Sequence, residues 1–149
     1  MTDKPTRPPA NIAEFNAVAG HIFAQLYVAF PSAVPKLDRD AIATAIGVSS
    51  SNWGNHVMPS GKNFSDLLGS TIGWLKSQNY IQSYGGTPIE NVILTDKGLA
   101  ALNAVPEGLG GITVGSSLVK ATSGSGNWAN IGDLIGGMIG GYSKSLVVR

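Results

Sequence analysis

Hydrophobic residues recur at helical spacing near the start of the chain. Asn11 and, three residues later, Glu14 match a capping box, which predicts a first helix that begins at about residue 12. Pro31 ends this helix. The residues expected on its buried face are Phe15, Val18, Ala19, Ile22, Phe23, Leu26 and Phe30.

A second, shorter helix is predicted after a connector that spans residues 31–37. Asp38 is placed to cap this helix, which runs to Ile46, and Gly47 supplies the left-handed residue that ends it. The residues expected to face inward are Ala41, Ile42, Ala45 and Ile46.

The third predicted helix has the most regular pattern. It covers residues 64–77, and Asn79 is its expected left-handed terminator. Residues 48–63 before it are rich in Ser, Asn and Gly, and three apolar side chains predict that this segment is a packed loop or carries one irregular turn: Trp53, Val57 and Met58. The apolar positions of the helix are Phe64, Leu67, Leu68, Thr71, Ile72 and Leu75.

Two β-prone runs follow the third helix. Residues 80–84 and 89–94 flank a Gly-Gly-Thr-Pro segment, which is the composition of a hairpin. Thr95 can cap a fourth helix that ends before Pro106. The predicted fold class is therefore mainly α with a small β-hairpin.

This order of elements, with the strings TIGWLKSQNYI and VILTDKGLAAL, resembles the winged helix-turn-helix domains of bacterial transcriptional regulators. The resemblance covers roughly residues 11–105, and its most specific part is the sequence Leu94-Thr95-Asp96-Lys97-Gly98. It implies DNA recognition by the third helix and the hairpin. The family usually joins its second and third helices by a tight turn, whereas here the connection runs from Gly47 to about Asn63.

The C-terminal region differs in composition from the rest of the chain. Residues 106–127 are expected to form a Gly/Ser-rich linker with one short helical candidate at 116–121, and residues 128–149 an amphipathic helix. Glycines at every fourth position resemble a glycine zipper, so the helix is expected to dock on its own domain or on a second copy. The candidate helix-packing residues are Gly132, Gly136, Gly140, Ile135, Met138 and Ile139. Asp133 and Lys144 bracket too short an apolar run for a transmembrane span.

Composition narrows the function classes. Only 13% of the 149 residues are charged, the net charge is +1, and there is no cysteine. These values provide no global field toward nucleic acid and no disulfide framework. The Pro-rich arm, residues 1–10, lacks the apolar run of a signal peptide, so a cytoplasmic location is expected.

The charges weaken the DNA interpretation. Between Gly61 and Leu94 the four charged residues Lys62, Asp66, Lys76 and Glu90 sum to zero. Phosphate neutralisation supplies most non-specific affinity for DNA, so a neutral surface favours another kind of partner. The candidate contacts to a partner or to DNA are Lys62, Asn63, Ser65, Ser70, Lys76, Trp53 and Tyr84, whereas Trp74 is expected to be a packing residue.

No cofactor, metal site or catalytic residue is predicted. His21 and His56 match no metal-ligand spacing, and no nucleophile or phosphate-loop motif is complete. The sequence therefore favours a non-catalytic binding or assembly module with a protein partner or self-association. A DNA-binding winged-helix regulator is the alternative.

Overall fold

A computed structural model describes residues 9–48, 53–106, 110–123 and 128–142. The chain is mainly helical, with a small antiparallel three-stranded sheet and a C-terminal helix, so the predicted fold class is confirmed. The elements in chain order are α1 (Ala10–Ala29), β1 (Val34–Lys36), α2 (Arg39–Ala45), α3 (Phe64–Ser77), β2 (Ile81–Ser83), β3 (Glu90–Leu94), α4 (Asp96–Leu102), α5 (Val114–Thr122) and α6 (Trp128–Gly136). A single 3-10 turn (Trp53–Asn55) precedes α3, and a π-helical stretch (Gly137–Tyr142) follows α6.

Helix α1 is the centre of the molecule. It contacts α3 and the sheet as well as α5 and α6, so it is enclosed on more than the single face that the sequence predicted. Glu14 and every residue from Asn16 to Ala24 are buried. Because α1 is enclosed on several faces, its polar residues are also buried. They include Glu14, Asn16 and His21.

The predicted capping box at the start of α1 is wrong. The helix begins at Ala10 after Pro9, and no side chain caps it. Glu14 does not turn back toward the first turn, because its carboxylate accepts hydrogen bonds from Ser60. The Glu14 side chain therefore bonds to a residue distant in sequence instead of to the backbone of the first turn.

The other predicted helix ends are confirmed. Asp38 accepts a hydrogen bond from the backbone N–H of Ala41 at 3.0 Å, and Thr95 accepts one from Gly98 at 3.1 Å. Gly47 and Asn79 have positive φ, as expected of residues that end a helix. On α2 the inward residues are Ile42 and Ala43, whereas Ala41 is exposed.

The sheet contains one strand that the sequence did not predict. Strand β1 lies in the expected connector and pairs antiparallel with β3, with Val34 opposite Val92. Strand β2 pairs with the other edge of β3, with Ile81 opposite Leu94. Three residues with a central proline give no alternating pattern, and proline is tolerated here because β1 is an edge strand.

The long connection between α2 and α3 closes on itself. Val57 and Asn63 form an isolated bridge, and the N–H of Gly61 donates to the carbonyl of Met58 at 2.8 Å. Met58 is buried as expected, but Val57 is exposed. The packed loop thus forms with one apolar anchor among the side chains described.

The segment expected to be a linker contains α5, which packs directly on α1. Val114, Leu118 and Ala121 are buried, and this helix is longer than the predicted 116–121. The ring of Tyr27 lies against Gly115, and its hydroxyl is 3.2 Å from both Asn103 Oδ1 and Thr113 Oγ1. This segment is therefore part of the core. Residues 107–109 and 124–127 of the predicted linker, like residues 1–8 of the arm and 143–149 of the tail, lie outside the described residues.

Candidate ligand groove

An apolar groove of about 560 Å³ opens between α1, α3 and the C-terminal helix. Its floor and walls are mostly aliphatic and aromatic side chains, with amides, hydroxyls and one ammonium group among them. The described lining residues are Asn11, Ile12, Phe15, Asn16, Lys62, Leu67, Ser70, Thr71, Trp74, Gly136 and Ile139.

The groove stays open because small residues lie at its margins. Among the described residues, no atom outside its chain neighbours and its own helix backbone lies within 4 Å of a Cβ atom built on Gly136, and Ser70 is an exposed position of α3. Ile12 is 43% exposed and Trp74 is 38% exposed. Two large apolar side chains therefore face solvent at one site.

Trp74 is fixed by its aromatic neighbours. Phe15 meets its ring edge-on, with 5.3 Å between centroids, and Tyr80 stacks on it at 6.3 Å with an interplanar angle of 25°. Both arrangements are favourable for aromatic pairs. The indole is a preformed wall of the groove.

Tyr80 anchors this aromatic row to the rest of the domain. Its ring meets Phe23 edge-on at 5.9 Å, and the Lys97 ammonium lies 4.5 Å from its centroid. Lys97 also donates to the carbonyl of Gln78 at 2.9 Å. Burial raises the pKa of the Tyr80 hydroxyl, which keeps this ring neutral.

A buried carboxylate fixes the loop that carries Lys62. Glu14 is 1% exposed, and it accepts hydrogen bonds from Ser60 Oγ at 2.6 Å and from the Ser60 backbone N–H at 3.0 Å. Gly61 follows with a φ of +94°, a conformation that favours glycine. The backbone of Lys62 is therefore held at the margin of the groove by a contact to α1.

The structure separates the predicted contact residues into different places. Lys62 and Ser70 line the groove together with Gly136 and Ile139, two residues expected only to pack helices. The remaining contact candidates lie elsewhere. Asn63 caps α3, Ser65 lines a second depression, Lys76 lies in the last turn of α3, Tyr84 is exposed beside the hairpin, and the side chain of Trp53 lies outside the described residues.

The other helix-packing candidates also differ in environment. Ile135 and Met138 are fully buried, whereas a Cβ on Gly132 would have only Asn16 Nδ2, at 3.8 Å, within 4 Å. Gly140 lies in the π-helical stretch, and its surroundings are outside the described residues. Thus α6 and the π-helical stretch pack through large apolar residues, and no described residue makes a close approach at Gly136.

Sequence reasoning missed the aromatic and amide members of the groove. Trp74 was expected to be a packing residue because it lies beside the apolar stripe of α3, yet it is partly exposed. Asn16 carried no motif, and Asn11 was assigned only to the capping box. Both are polar residues of α1. Their place in the groove becomes clear only when the elements that pack against α1 are known.

A second depression of about 410 Å³ lies between α3, the hairpin loop and β1. Lys36, Arg39 and Ser65 line it, but so does Glu90. The outward face of α3 beside it includes Ser65, Gly69 and Gly73, and the two glycines have open space around them. This face offers few side chains long enough to reach a partner.

The described ranges contain neither a metal-binding cluster nor a membrane-spanning helix. No group of three or more His, Asp or Glu side chains there could hold a metal ion. No helix in the same ranges has the length and apolar character to cross a bilayer. Burial lowers the pKa of His21 on α1, which favours its neutral form.

The order of helices and strands, with β3 at the centre of the sheet, is compatible with a winged helix. Comparisons with family models, curated proteins and solved structures find no match for this chain. The winged-helix assignment therefore remains an interpretation of the element order.

Proposed function

We propose that the chain is a non-catalytic binding module and that the groove between α1, α3 and the C-terminal helix is its binding surface. The observation that carries the proposal is the partly exposed Trp74 in the wall of an open apolar groove. Burying exposed apolar surface is the main source of binding free energy, and concave apolar sites with a few polar groups are typical of ligand pockets.

The chemistry of the groove agrees with binding rather than catalysis. Its described lining contains amides, hydroxyls and one ammonium, but no carboxylate and no imidazole. General acid–base catalysis usually employs such groups within hydrogen-bond reach of the reacting atom. Self-association through the C-terminal helix is not needed for this function, because Ile131 and Ile135 of α6 and Met138 of the π-helical stretch are already buried within one chain.

The proposal is tested with a neutral aromatic probe, naphthalene-2-carboxamide, titrated into the full chain and followed by two-dimensional amide NMR. We expect saturable shifts around Phe15 and Trp74. Gly136→Leu should block them, because the new side chain enters the open space of the groove.

Gly73→Leu is the matched control. It makes the same change on α3 at a glycine that also has open space, and it does not line the groove. It should therefore bind the probe as the wild type does. Shifts that map elsewhere, or equal binding by Gly136→Leu, would reject the groove as the binding surface.

A DNA-binding regulator is the second candidate. The observation that favours it is the proximity of Lys36 and Arg39 to Ser65 of α3 in the second depression. Cations beside the third helix and hairpin are what a winged helix needs to contact phosphates. Glu90 in the same depression and the glycines on the outward face of α3 weaken this candidate.

A further inference from the structure

We infer that the groove selects small amphipathic carboxylates: molecules with a flat apolar body and a single negative charge. This inference rests on the proposed function, because it names the ligand class of the same groove. It is carried by the combination of apolar walls with a single type of charge at their margin.

Lys62 supplies the positive charge of the groove. It is the one charged residue among the described residues that line the groove. Its ammonium forms no ion pair with another described residue, so a ligand carboxylate would not have to displace any of these residues. An ammonium at the margin favours an anion and disfavours a cation.

The acidic residues of the neighbouring helices are not part of the described groove lining. Asp66 of α3 and Asp133 of α6 are exposed and lie about one turn before the lining residues Ser70 and Gly136. Glu14 is the acidic residue of α1, but its carboxylate is buried, bonded to Ser60 and absent from the groove lining. The first turn of α1 has no acidic residue and borders the groove at Asn11 and Ile12. The partial positive charge of this helix end has the same sign as Lys62.

The walls of the groove favour a flat apolar ligand. Trp74 and Phe15 supply aromatic surface, and Ile12, Leu67 and Ile139 supply aliphatic surface. A volume of about 560 Å³ falls in the range of small-molecule sites. An aromatic body of two fused rings can stack on the exposed part of the indole while its carboxylate faces Lys62.

Polar groups inside the groove can orient such a ligand. Asn16 is 8% exposed and Thr71 is 2% exposed, so both lie deeper than Lys62, which is exposed. A buried amide and a buried hydroxyl can each donate a hydrogen bond to an oxygen acceptor. They are positioned to distinguish a ligand with an oxygen substituent from a plain hydrocarbon.

The test compares three probes with the same ring system: naphthalene-2-carboxylate, naphthalene-2-carboxamide and naphthalen-2-ylmethylammonium. Each is titrated into the full chain at low ionic strength by calorimetry and amide NMR. We expect the carboxylate to bind about two- to fivefold more tightly than the carboxamide, as for an exposed ion pair, and the ammonium to bind most weakly. The preference should shrink as salt is added.

Two charge-removing variants separate the role of Lys62 from a general effect of net charge. Lys62→Met should abolish the preference for the carboxylate while it retains binding of the carboxamide. Lys76→Met removes the same charge from a residue of α3 that does not line the groove, and it should keep the preference. Both positions are on or near the surface, so unchanged melting curves would verify the fold.

The outcomes distinguish the proposed ligand class from the proposed binding surface. If the carboxylate and the carboxamide bind equally to the wild type, or if Lys62→Met keeps the preference, the ligand class is wrong. The groove itself would still stand if Gly136→Leu blocks both probes. If no probe binds at Trp74, the proposed function and this inference fail together.

Discussion

Gly20 of α1 and Ile131 of α6 lie so close that any side chain at position 20 would force Ile131 to move. A Cβ atom on Gly20 would be 2.3 Å from Cγ2 of Ile131 and 3.5 Å from Cδ2 of Leu118 on α5. Ile131 is 2% exposed, and its Cγ2 methyl is attached directly to Cβ, so it cannot rotate away without repacking. Thus α5 and α6 reach the central helix at one glycine.

Gly20→Ala should destabilise the protein. Alanine raises helix propensity by about 0.5–1 kcal/mol, but overpacking a core costs about 1–3 kcal/mol, and the 2.3 Å approach favours the larger cost. We expect a lower free energy of unfolding in urea. Gly73→Ala on α3 has open space and should instead be stabilising.

A second substitution verifies the cause. Ile131→Leu removes the methyl group on Cβ, so Gly20→Ala should cost less in that background than in the wild type. Additive costs, or a Gly20→Ala variant as stable as the wild type, would show that α6 does not pack at Gly20 as described.

Ser60→Ala should lower stability by about 1–3 kcal/mol, because the buried Glu14 carboxylate loses one of its two hydrogen bonds from Ser60. Ser65→Ala is the control, since Ser65 is exposed at the start of α3. Equilibrium urea unfolding of both variants measures the difference. Equal stabilities would contradict the role of Ser60 in tying the loop to α1.

Stability should fall as the pH is lowered from 7.5 to 5.5. Burial lowers the pKa of His21 below its usual value of 6.5, so the unfolded chain takes up the proton first as the pH decreases. The contribution of neutral His21 is present above pH 6.5 and is lost as the pH falls toward the lowered pKa. The melting temperature measured across this range should reveal the loss.

His21→Gln should flatten this pH dependence, because glutamine does not titrate between pH 7.5 and 5.5. The substitution removes the imidazole from a buried position of α1. A wild-type curve without slope between pH 7.5 and 5.5 would contradict the burial of His21.

DNA binding is expected to be weak and without sequence preference, with a Kd above about 1 µM at about 0.15 M salt, because the four charged residues between Gly61 and Leu94 sum to zero. A mobility shift over several duplexes and salt concentrations is the measurement. Lys36→Gln should reduce any binding seen at low salt, and Lys120→Gln on α5 should not. Selective sub-micromolar binding would favour the regulator over the binding module.

Several local features could be predicted because their causes lie within a few residues. The apolar spacing in residues 64–77 determined the third helix, and Asp38, Gly47, Asn79 and Thr95 take the expected positions at helix ends. By contrast, Asn11 and Glu14 satisfied a local capping pattern that lost to a contact from Ser60, forty-six positions away. Local patterns fail where a distant residue offers a better partner.

The groove shows the same division. Lys62, Ser70, Gly136 and Ile139 were each singled out for different reasons, but nothing in their spacing indicated that they line one site. Trp74 was assigned to the core because it follows the apolar stripe of α3. The exposure of Trp74 depends on how α1 and the C-terminal helix pack beside α3, and the spacing within α3 does not show this.

The sequence by itself determined the helices, the hairpin and the residues that end them, since these follow from backbone conformation and from spacing along the chain. Only the tertiary structure decided that β1 joins the sheet, that α5 belongs to the core and that α1 is enclosed by helices and sheet. Those features arise from burial between segments far apart in sequence, and the spacing within one segment does not show which other segment covers it. The open groove beside Trp74 belongs to this second group, because it is the surface that this packing leaves uncovered.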